Sequence, residues 1–326
     1  MATLRDIAKA VGVDISTVSK VLQGAPIRVS ESRRQEIFRV AEQLNYRPNM
    51  VARGLRLGKS GAIAMPVPST ANYLYPEIIG GAEDAADRLG YVLFVLKQSA
   101  VDPLGRILNI VAQGRVDGLI FADDAPSAEL VSALNGRRVP FISLNKGSDL
   151  DSHCVALDDQ AGFALQAEYL ERLGHRRVAF VKVIPTSFTS ELCMGTFAAR
   201  LEPEWVWECD FFGEGVLSVI ERYGASDAPT AIATASVVVA ARLVQGLREK
   251  GIRVPEDVSV IGYHDSPIAQ WPLPGVTTVK MASREQGMRG VEALCELIAK
   301  GTFAGEVVST PPEIIDRGTC AAVQAC

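Results

Sequence analysis

The stretch 53–61, "RGLRLGKSG", holds the residue types that grip phosphate. A phosphate-binding loop reads G-x-x-x-x-G-K-[ST]; its glycines let backbone N–H groups surround the phosphates, and its lysine neutralises them. Gly54, Gly58, Lys59 and Ser60 supply those letters with one residue too few between the glycines. Such a loop must also follow a buried strand and open a helix. This stretch instead follows "YRPN" and precedes the first strand-like apolar run. Charge indicates another kind of phosphate. Residues 1–59 carry eleven Lys/Arg against five Asp/Glu, although the whole chain has a formal net charge of −5. A basic head on an acidic body is the footprint of a polyanionic partner, because phosphate contacts release counterions.

Other chemistries find little support. His153, His175 and His264 lie far apart, and none has a second ligand at i+3 or i+4, so no metal site is expected. There is no G-x-S-x-G elbow, and "GEG" at 213–215 lacks the third glycine of a dinucleotide loop. His264-Asp265, at the end of an apolar run, can in principle do acid–base work; contact with a ligand, or capping, suits it better. No nucleophile stands with a base, and neither catalysis nor a cofactor is expected. Six cysteines without a C-x-x-C pair imply reduced thiols. The longest apolar runs, such as 231–241 "AIATASVVVAA", are too short and polar to span a bilayer, and "MATLRD" does not open a secretory signal. The expected location is the cytoplasm, with no membrane partner.

The elements that must position a phosphate-binding head come first in the chain. Within "TLRDIAKAVGVDISTVSKVL" the spacing predicts two short amphipathic helices. Thr3 can cap the first, whose inward stripe is Leu4, Ile7, Ala8 and Val11, and Gly12 stops it. Asp14 can cap the second, with Val18, Val21 and Leu22 inward and Ile15, Ser16, Thr17, Ser19 and Lys20 at or near its outward, N-terminal end. Two short helices around a glycine turn describe a helix-turn-helix, whose second helix enters the DNA major groove. A third helix is predicted from Ser30, as its cap, with Ile37, Val40, Ala41 and Leu44 packing under the pair; Tyr46-Arg47-Pro48 ends it.

From residue 61 onward, apolar strands alternate with amphipathic helices. The strands are predicted at 61–67, 91–96, 117–121, 139–143, 153–157, 177–183, 204–209, 230–234, 257–262 and 276–280, with helices such as 77–89 and 237–250 between them. This alternation implies parallel sheets covered on both faces. Ten strands exceed one comfortable sheet, so two α/β subdomains are expected, breaking near 158, with a ligand crevice at the strand carboxyl ends, between the two lobes.

The wording of the head, "LRDIAKAVGVDISTVSKVLQG" followed by "VSESRRQEIFRVAEQLNYRPNMVARGLR", closely resembles the headpiece of the lactose-repressor (LacI/GalR) family of bacterial transcription regulators. The likeness continues to about residue 319 through "NYLYPEIIGGAEDAADRLGY", "RVDGLIF", "LERLGHRRVAFV", "VPEDVSVIGYHDSPIAQ" and "GVTTVK". The resemblance implies a small all-α helix-turn-helix headpiece (1–48), a hinge helix and linker (49–60), and an α/β periplasmic-binding-protein-like core of two doubly wound subdomains (61–326). The N-subdomain would take about 61–158 and 284–308, and the C-subdomain about 159–283 and 309–320.

Residue by residue, the resemblance implies that Ile15 and Ser16 read base edges, that Thr17 and Ser19 meet phosphates and the groove, and that Lys20 is a basic reader. Thr3 and Arg28 would also face DNA. The segment "PNMVARGLR" resembles a hinge helix that forms on DNA and enters the minor groove. In it Asn49 is the cap, Ala52 and Leu55 share a face, Leu55 is the wedge between base steps, and Arg53 meets backbone or groove edges. Gly58, Lys59 and Ser60 then become the joint between reader and sensor.

In the crevice the chain departs from its relatives. Cys193, four residues before Phe197, stands where a family arginine anchors the ligand; Ser236-Val237 replaces an Asn-Asp pair; and His264 replaces an aspartate after "GY". Asn145, Leu157 and Phe211 resemble cleft-lining positions, and Tyr73 and Tyr75 are placed in the loop after the first strand. The implied protein is a regulator, with repression the commoner outcome in the family. It would bind a pseudo-palindromic double-stranded operator as a homodimer, with a tetramer also open, under control of a small-molecule effector such as a sugar or related metabolite. The alternative is a regulator that ignores small molecules and answers to a protein partner or to its own abundance.

Overall fold

The computed structural model describes residues 2–22, 24–46, 59–67, 75–97, 102–122, 126–144, 153–184, 188–210, 213, 215–223 and 228–323. The chain divides into two compact units, Met1–Ser60 and Gly61–Cys326.

In the first unit, α1 (Leu4–Val11) opens on a reciprocal cap. The Thr3 hydroxyl accepts from the backbone N–H of Asp6, and the Asp6 carboxylate accepts from the N–H of Thr3 at 2.9 Å. Gly12 ends the helix at φ 70°, a conformation that only glycine adopts cheaply. Asp14 then starts α2 (Ile15–Leu22) by accepting from the Ser16 N–H at 2.7 Å. α3 (Glu31–Gln43) lies across both, and Ile7, Ala8, Val11, Val18, Val21, Ile37, Val40 and Ala41 form the shared core.

Three expectations for this unit are corrected. Ser30 occupies the cap position of α3, but its hydroxyl lies 3.2 Å from that of Ser32 and makes no bond to a helix N–H. Leu44 is 40% exposed because α3 ends at Gln43 and the chain turns there, with Asn45 at φ 47°; Tyr46 packs against the core instead. Ser19 is buried rather than outward: α2 is pressed against both neighbouring helices, and a small hydroxyl fits within that wider buried arc.

The second unit begins with β1 (Ala62–Val67), α4 (Tyr75–Leu89), β2 (Val92–Lys97), α5 (Pro103–Ala112), β3 (Gly118–Phe121), α6 (Ala128–Gly136) and β4 (Phe141–Ser143). It continues through β5 (Val155–Ala156), α7 (Asp159–Arg172), β6 (Val178–Ile184), α8 (Phe188–Arg200), β7 (Trp205–Asp210), α9 (Val216–Tyr223) and β8 (Ala231–Thr234). Then come α10 (Val237–Glu249), β9 (Ser259–Tyr263), β10 (Thr277–Lys280), α11 (Ser283–Lys300), β11 (Glu306–Val307) and β12 (Glu313–Ile315). All ten anticipated strands are present; β11 and β12 were not anticipated.

The strands form a parallel sheet in the order β2-β1-β3-β4 and a second in the order β12-β10-β9-β8-β6-β7, in which only β12 runs antiparallel to its neighbour. Every residue of β1, β3, β8 and β9 is buried, as strands covered on both faces require. The chain crosses between the sheets more than once. α11 leaves β10 of the second sheet to pack on α4, β3 and β4 of the first. β11 then pairs with β5, and β12 returns to β10. The α4–α11 contact is made by glycines at backbone distance. A Cβ on Gly81 would lie 1.8 Å from the Arg284 carbonyl oxygen, and one on Gly287 1.9 Å from that of Ile78.

Candidate nucleic-acid interface and ligand crevice

The N-terminal end of α2 is exposed. Ile15 is 39% exposed although apolar, Ser16 and Lys20 are exposed, Thr17 is half-buried, and Val18, Ser19 and Val21 face inward. Asp14 fixes this end; hydrogen bonds from Ser16 hold its carboxyl below the usual carboxylate range. Asp6 is lowered in the same way by Thr3. The Thr3 hydroxyl donates to Asp6 at 2.8 Å, so its proton is already committed. Arg28 is exposed in the loop before α3. Asn49, Ala52, Arg53 and Leu55, assigned to the hinge, lie outside the described residues, as do Gly54 and Gly58.

Of the residues expected at the crevice between the lobes, Ser236 follows β8 and His264 follows β9, at the carboxyl ends of the second sheet. Ser236 caps α10, its hydroxyl accepting from the Val238 N–H at 3.2 Å. His264 has φ 62°, its ring packs edge-on against Tyr263, and its Nδ1 is buried without a hydrogen-bond partner. Burial pushes the imidazole pKa down to about 4. Asp265 does not serve His264: it is held by the Arg317 guanidinium at 2.9 Å and accepts from the Thr278 hydroxyl at 2.7 Å. Arg317 escaped sequence reasoning because it comes from the chain's return after β12, and no local spacing links it to Asp265. Ser266 Oγ and Gln166 Oε1, also buried without partners, were missed as well.

One placement is corrected: Tyr75 is the first residue of α4, not part of a loop, and is buried with Ile78 and Ala82. Leu157 is buried in the same cluster. Tyr73, Asn145, Phe211 and the side chain of Cys193 lie outside the described residues. Among the described residues no three His, Cys, Asp or Glu side chains group as a metal site.

Residues 3–49 match the model of the bacterial regulatory proteins, lacI family, and residues 167–320 that of a periplasmic binding protein-like domain. The HTH-type transcriptional repressor PurR of Vibrio cholerae serotype O1 (strain M66-2) is 30% identical over 331 residues, covering 98% of both chains. The chain belongs to the LacI family. The PurR of Pasteurella multocida (strain Pm70) is 29% identical over 97% of this chain and 98% of that one. Among solved structures, the lac repressor dimer bound to operator and the anti-inducer ONPF superposes with a TM-score of 0.85 at 26% identity, covering 98% of this chain and 99% of that one. The CelR–cellobiose complex, at 23% identity and a TM-score of 0.73, shares the fold over 98% of this chain and 100% of that one.

As a LacI-family member this chain is a DNA-binding transcriptional regulator: a helix-turn-helix head followed by an α/β core of the periplasmic-binding type. No helix among its described residues is long and apolar enough to cross a membrane. Two histidines give the LacI-family core an acid dependence. His175 is buried, its Nε2–H donating to the Ala321 carbonyl at 3.1 Å and its Nδ1 lying 2.9 Å from the Thr230 hydroxyl, and burial lowers its pKa. An unfolded histidine takes its proton near pH 6.5, whereas folded His264 waits until about 4. Between those values the unfolded chain binds more protons, so stability falls on acidification; above about pH 7 neither group contributes. The loss attributable to His264 is about 2–3 kcal/mol. Denaturant midpoints between pH 7 and 4.5 should fall more steeply for the native chain than for His264→Asn, which tolerates the left-handed backbone and does not titrate. Parallel curves would remove His264 as the cause.

Proposed function

We propose a non-catalytic repressor that binds a pseudo-palindromic operator as a homodimer, one head per half-site, under control of a small molecule at the carboxyl ends of the second sheet. The carrying observation is the exposed end of α2, where Ile15 and Ser16 stand beyond a cap that fixes their direction, on the basic part of the chain. An apolar side chain there suits a thymine methyl and a hydroxyl suits a base edge. The relatives carry the name repressor, and the lac repressor structure is a dimer on its operator. Apolar surface for pairing is at hand. Val92 and Phe94 are exposed along the edge strand β2, and Trp271 and Leu273 flank a groove of about 830 Å³ beside α10. Hinge residues Asn49, Ala52, Arg53 and Leu55 would complete the DNA contact.

The test is enrichment of duplexes from a random-sequence pool by the full chain. The native protein should enrich a two-fold symmetric sequence. Ile15→Ala should lose about 1–3 kcal/mol of discrimination at one base pair in each half-site. Enrichment of an unchanged sequence with unchanged preference would remove Ile15 from the reading surface.

A second reading, a regulator indifferent to small molecules, draws on Cys193, Ser236-Val237 and His264 at the family's anchoring places. The hydroxyl of Ser236 is spent on a helix cap. A low-molecular-mass cell extract that shifts operator affinity favours the first reading, and one that never does favours the second.

A further inference from the structure

The last carbonyl of α1 is held by a residue from a different helix. Arg33, in the first turn of α3, donates through Nη1 to the Val11 carbonyl oxygen at 3.1 Å, and the same nitrogen lies 2.9 Å from Glu36 Oε2. Val11 is followed directly by Gly12 at φ 70°, where the chain leaves the helical path. Carbonyls at a helix end have no partner within the helix and take one from elsewhere. The N–H groups of Gly12 and Val13 both return to the Ala8 carbonyl, and the guanidinium takes that of Val11.

This link joins the turn of the helix-turn-helix to the beginning of α3. The core beneath it, with Ile7, Val11, Val18 and Ile37, stacks α1, α2 and α3 through apolar contact alone. A hydrogen bond from a charged donor is directional and is stronger than one between neutral groups. It acts three residues before Asp14, whose carboxylate sets the first turn of α2 and with it Ile15 and Ser16. Movement of the turn relative to α3 therefore moves the exposed end of α2.

We propose that Arg33 is a positioning residue for DNA reading: its bond to the Val11 carbonyl fixes the turn, so that Ile15 and Ser16 are presented in one register. The assignment rests on the reading that the end of α2 meets the bases. It differs in kind from the ordinary role of an exposed arginine on a basic head, which is to neutralise a phosphate. A phosphate contact lowers affinity for every duplex when removed and reduces the slope of log K against log salt by about 0.9. A positioning residue lowers affinity for the preferred sequence alone and leaves that slope unchanged. Glu36 separates the two roles further. Its carboxylate shares the same Nη1, so removing its charge would free Arg33 for a phosphate but leave the bond to Val11 in place.

The experiment uses the full chain, the duplex it enriches from a random pool, and a scrambled duplex of equal length, across a salt series. Arg33→Gln should weaken binding to the enriched duplex about tenfold, as expected for loss of a charged hydrogen bond, with scrambled binding and salt slope unchanged. Glu36→Gln should leave both affinities within about twofold. Circular dichroism of each variant reports whether the head remains helical. If Arg33→Gln unfolds it, Arg33→Met, which keeps an apolar stem and loses every donor, takes its place and should show the same selective loss. An equal loss on both duplexes with a slope reduced by about 0.9 would overturn the proposal in favour of a phosphate contact. So would tighter binding of both duplexes by Glu36→Gln, or full sequence preference in either Arg33 variant. Failure to enrich any sequence would instead bring down the DNA-reading assignment, and this inference with it.

Discussion

Replacing Gly287 with alanine is expected to destabilise the core by about 3 kcal/mol or more, against the usual sign for a helix. Within a helix the change from glycine to alanine ordinarily stabilises by about 1 kcal/mol, because alanine loses less backbone freedom on folding. Here the new methyl would meet the Ile78 carbonyl oxygen at 1.9 Å, and real Cβ atoms essentially never approach other heavy atoms closer than 3.0 Å. The obstacle is backbone, so no side chain can swing aside. α11 would have to withdraw from α4 along its length, opening the layer that also holds Val291, Leu294 and Ile78. Gly81→Ala should behave alike, since its methyl would meet the Arg284 carbonyl oxygen at 1.8 Å. Gly136, at the end of α6 with open space around its Cβ position, is the control and should tolerate alanine. Denaturant unfolding of the three variants measures this directly; a Gly287→Ala loss below about 1 kcal/mol would mean that the helices do not meet at backbone distance.

Ile37→Ala is expected to abolish DNA binding while leaving the core folded. Ile37 is fully buried among the eight apolar residues that hold α1, α2 and α3 together. Truncating a buried isoleucine costs about 2–5 kcal/mol, and a unit this small has little more than that to lose. The main thermal transition, which belongs to the core, should stay in place. The helical signal of the head should disappear, and with it affinity for any duplex beyond weak charge attraction. Retained sequence preference, or a matching fall in the main transition, would contradict this.

How far the sequence spoke depended on the distance between cause and effect along the chain. Thr3, Gly12 and Asp14 were legible because a cap is decided within three residues. The other ten strands were legible because each lies in an apolar run between turn signals, even β4 and β5, of three and two residues, which are wholly buried. β11 and β12 each open on a glutamate and are not wholly buried, so no apolar run marks them; pairing with β5 and β10 defines them. Ser19 and Leu44 were misplaced because helical spacing names a stripe but not its width or the point where the helix stops. In the crevice the unusual residue types at 236 and 264 were visible, whereas their surroundings were not. That Asp265 is already occupied follows from Arg317, 52 positions away. That His264 Nδ1 is buried without a partner is likewise decided by its surroundings and not by its neighbours in sequence.

The late crossing of the chain sets an order of events at the ribosome. The glycine face of α4 is made early in synthesis, yet its cover, α11, is among the last helices to emerge. The edge of β10 waits still longer for β12. The first sheet therefore has all its strands early but its cover late, and the second lacks its edge strand until the end. The head, whose apolar cluster lies within the first 46 residues, is made long before. A nascent regulator thus passes through a stage with a formed DNA reader and an unformed sensor, and premature termination after the head but before residue 283 would leave that form behind.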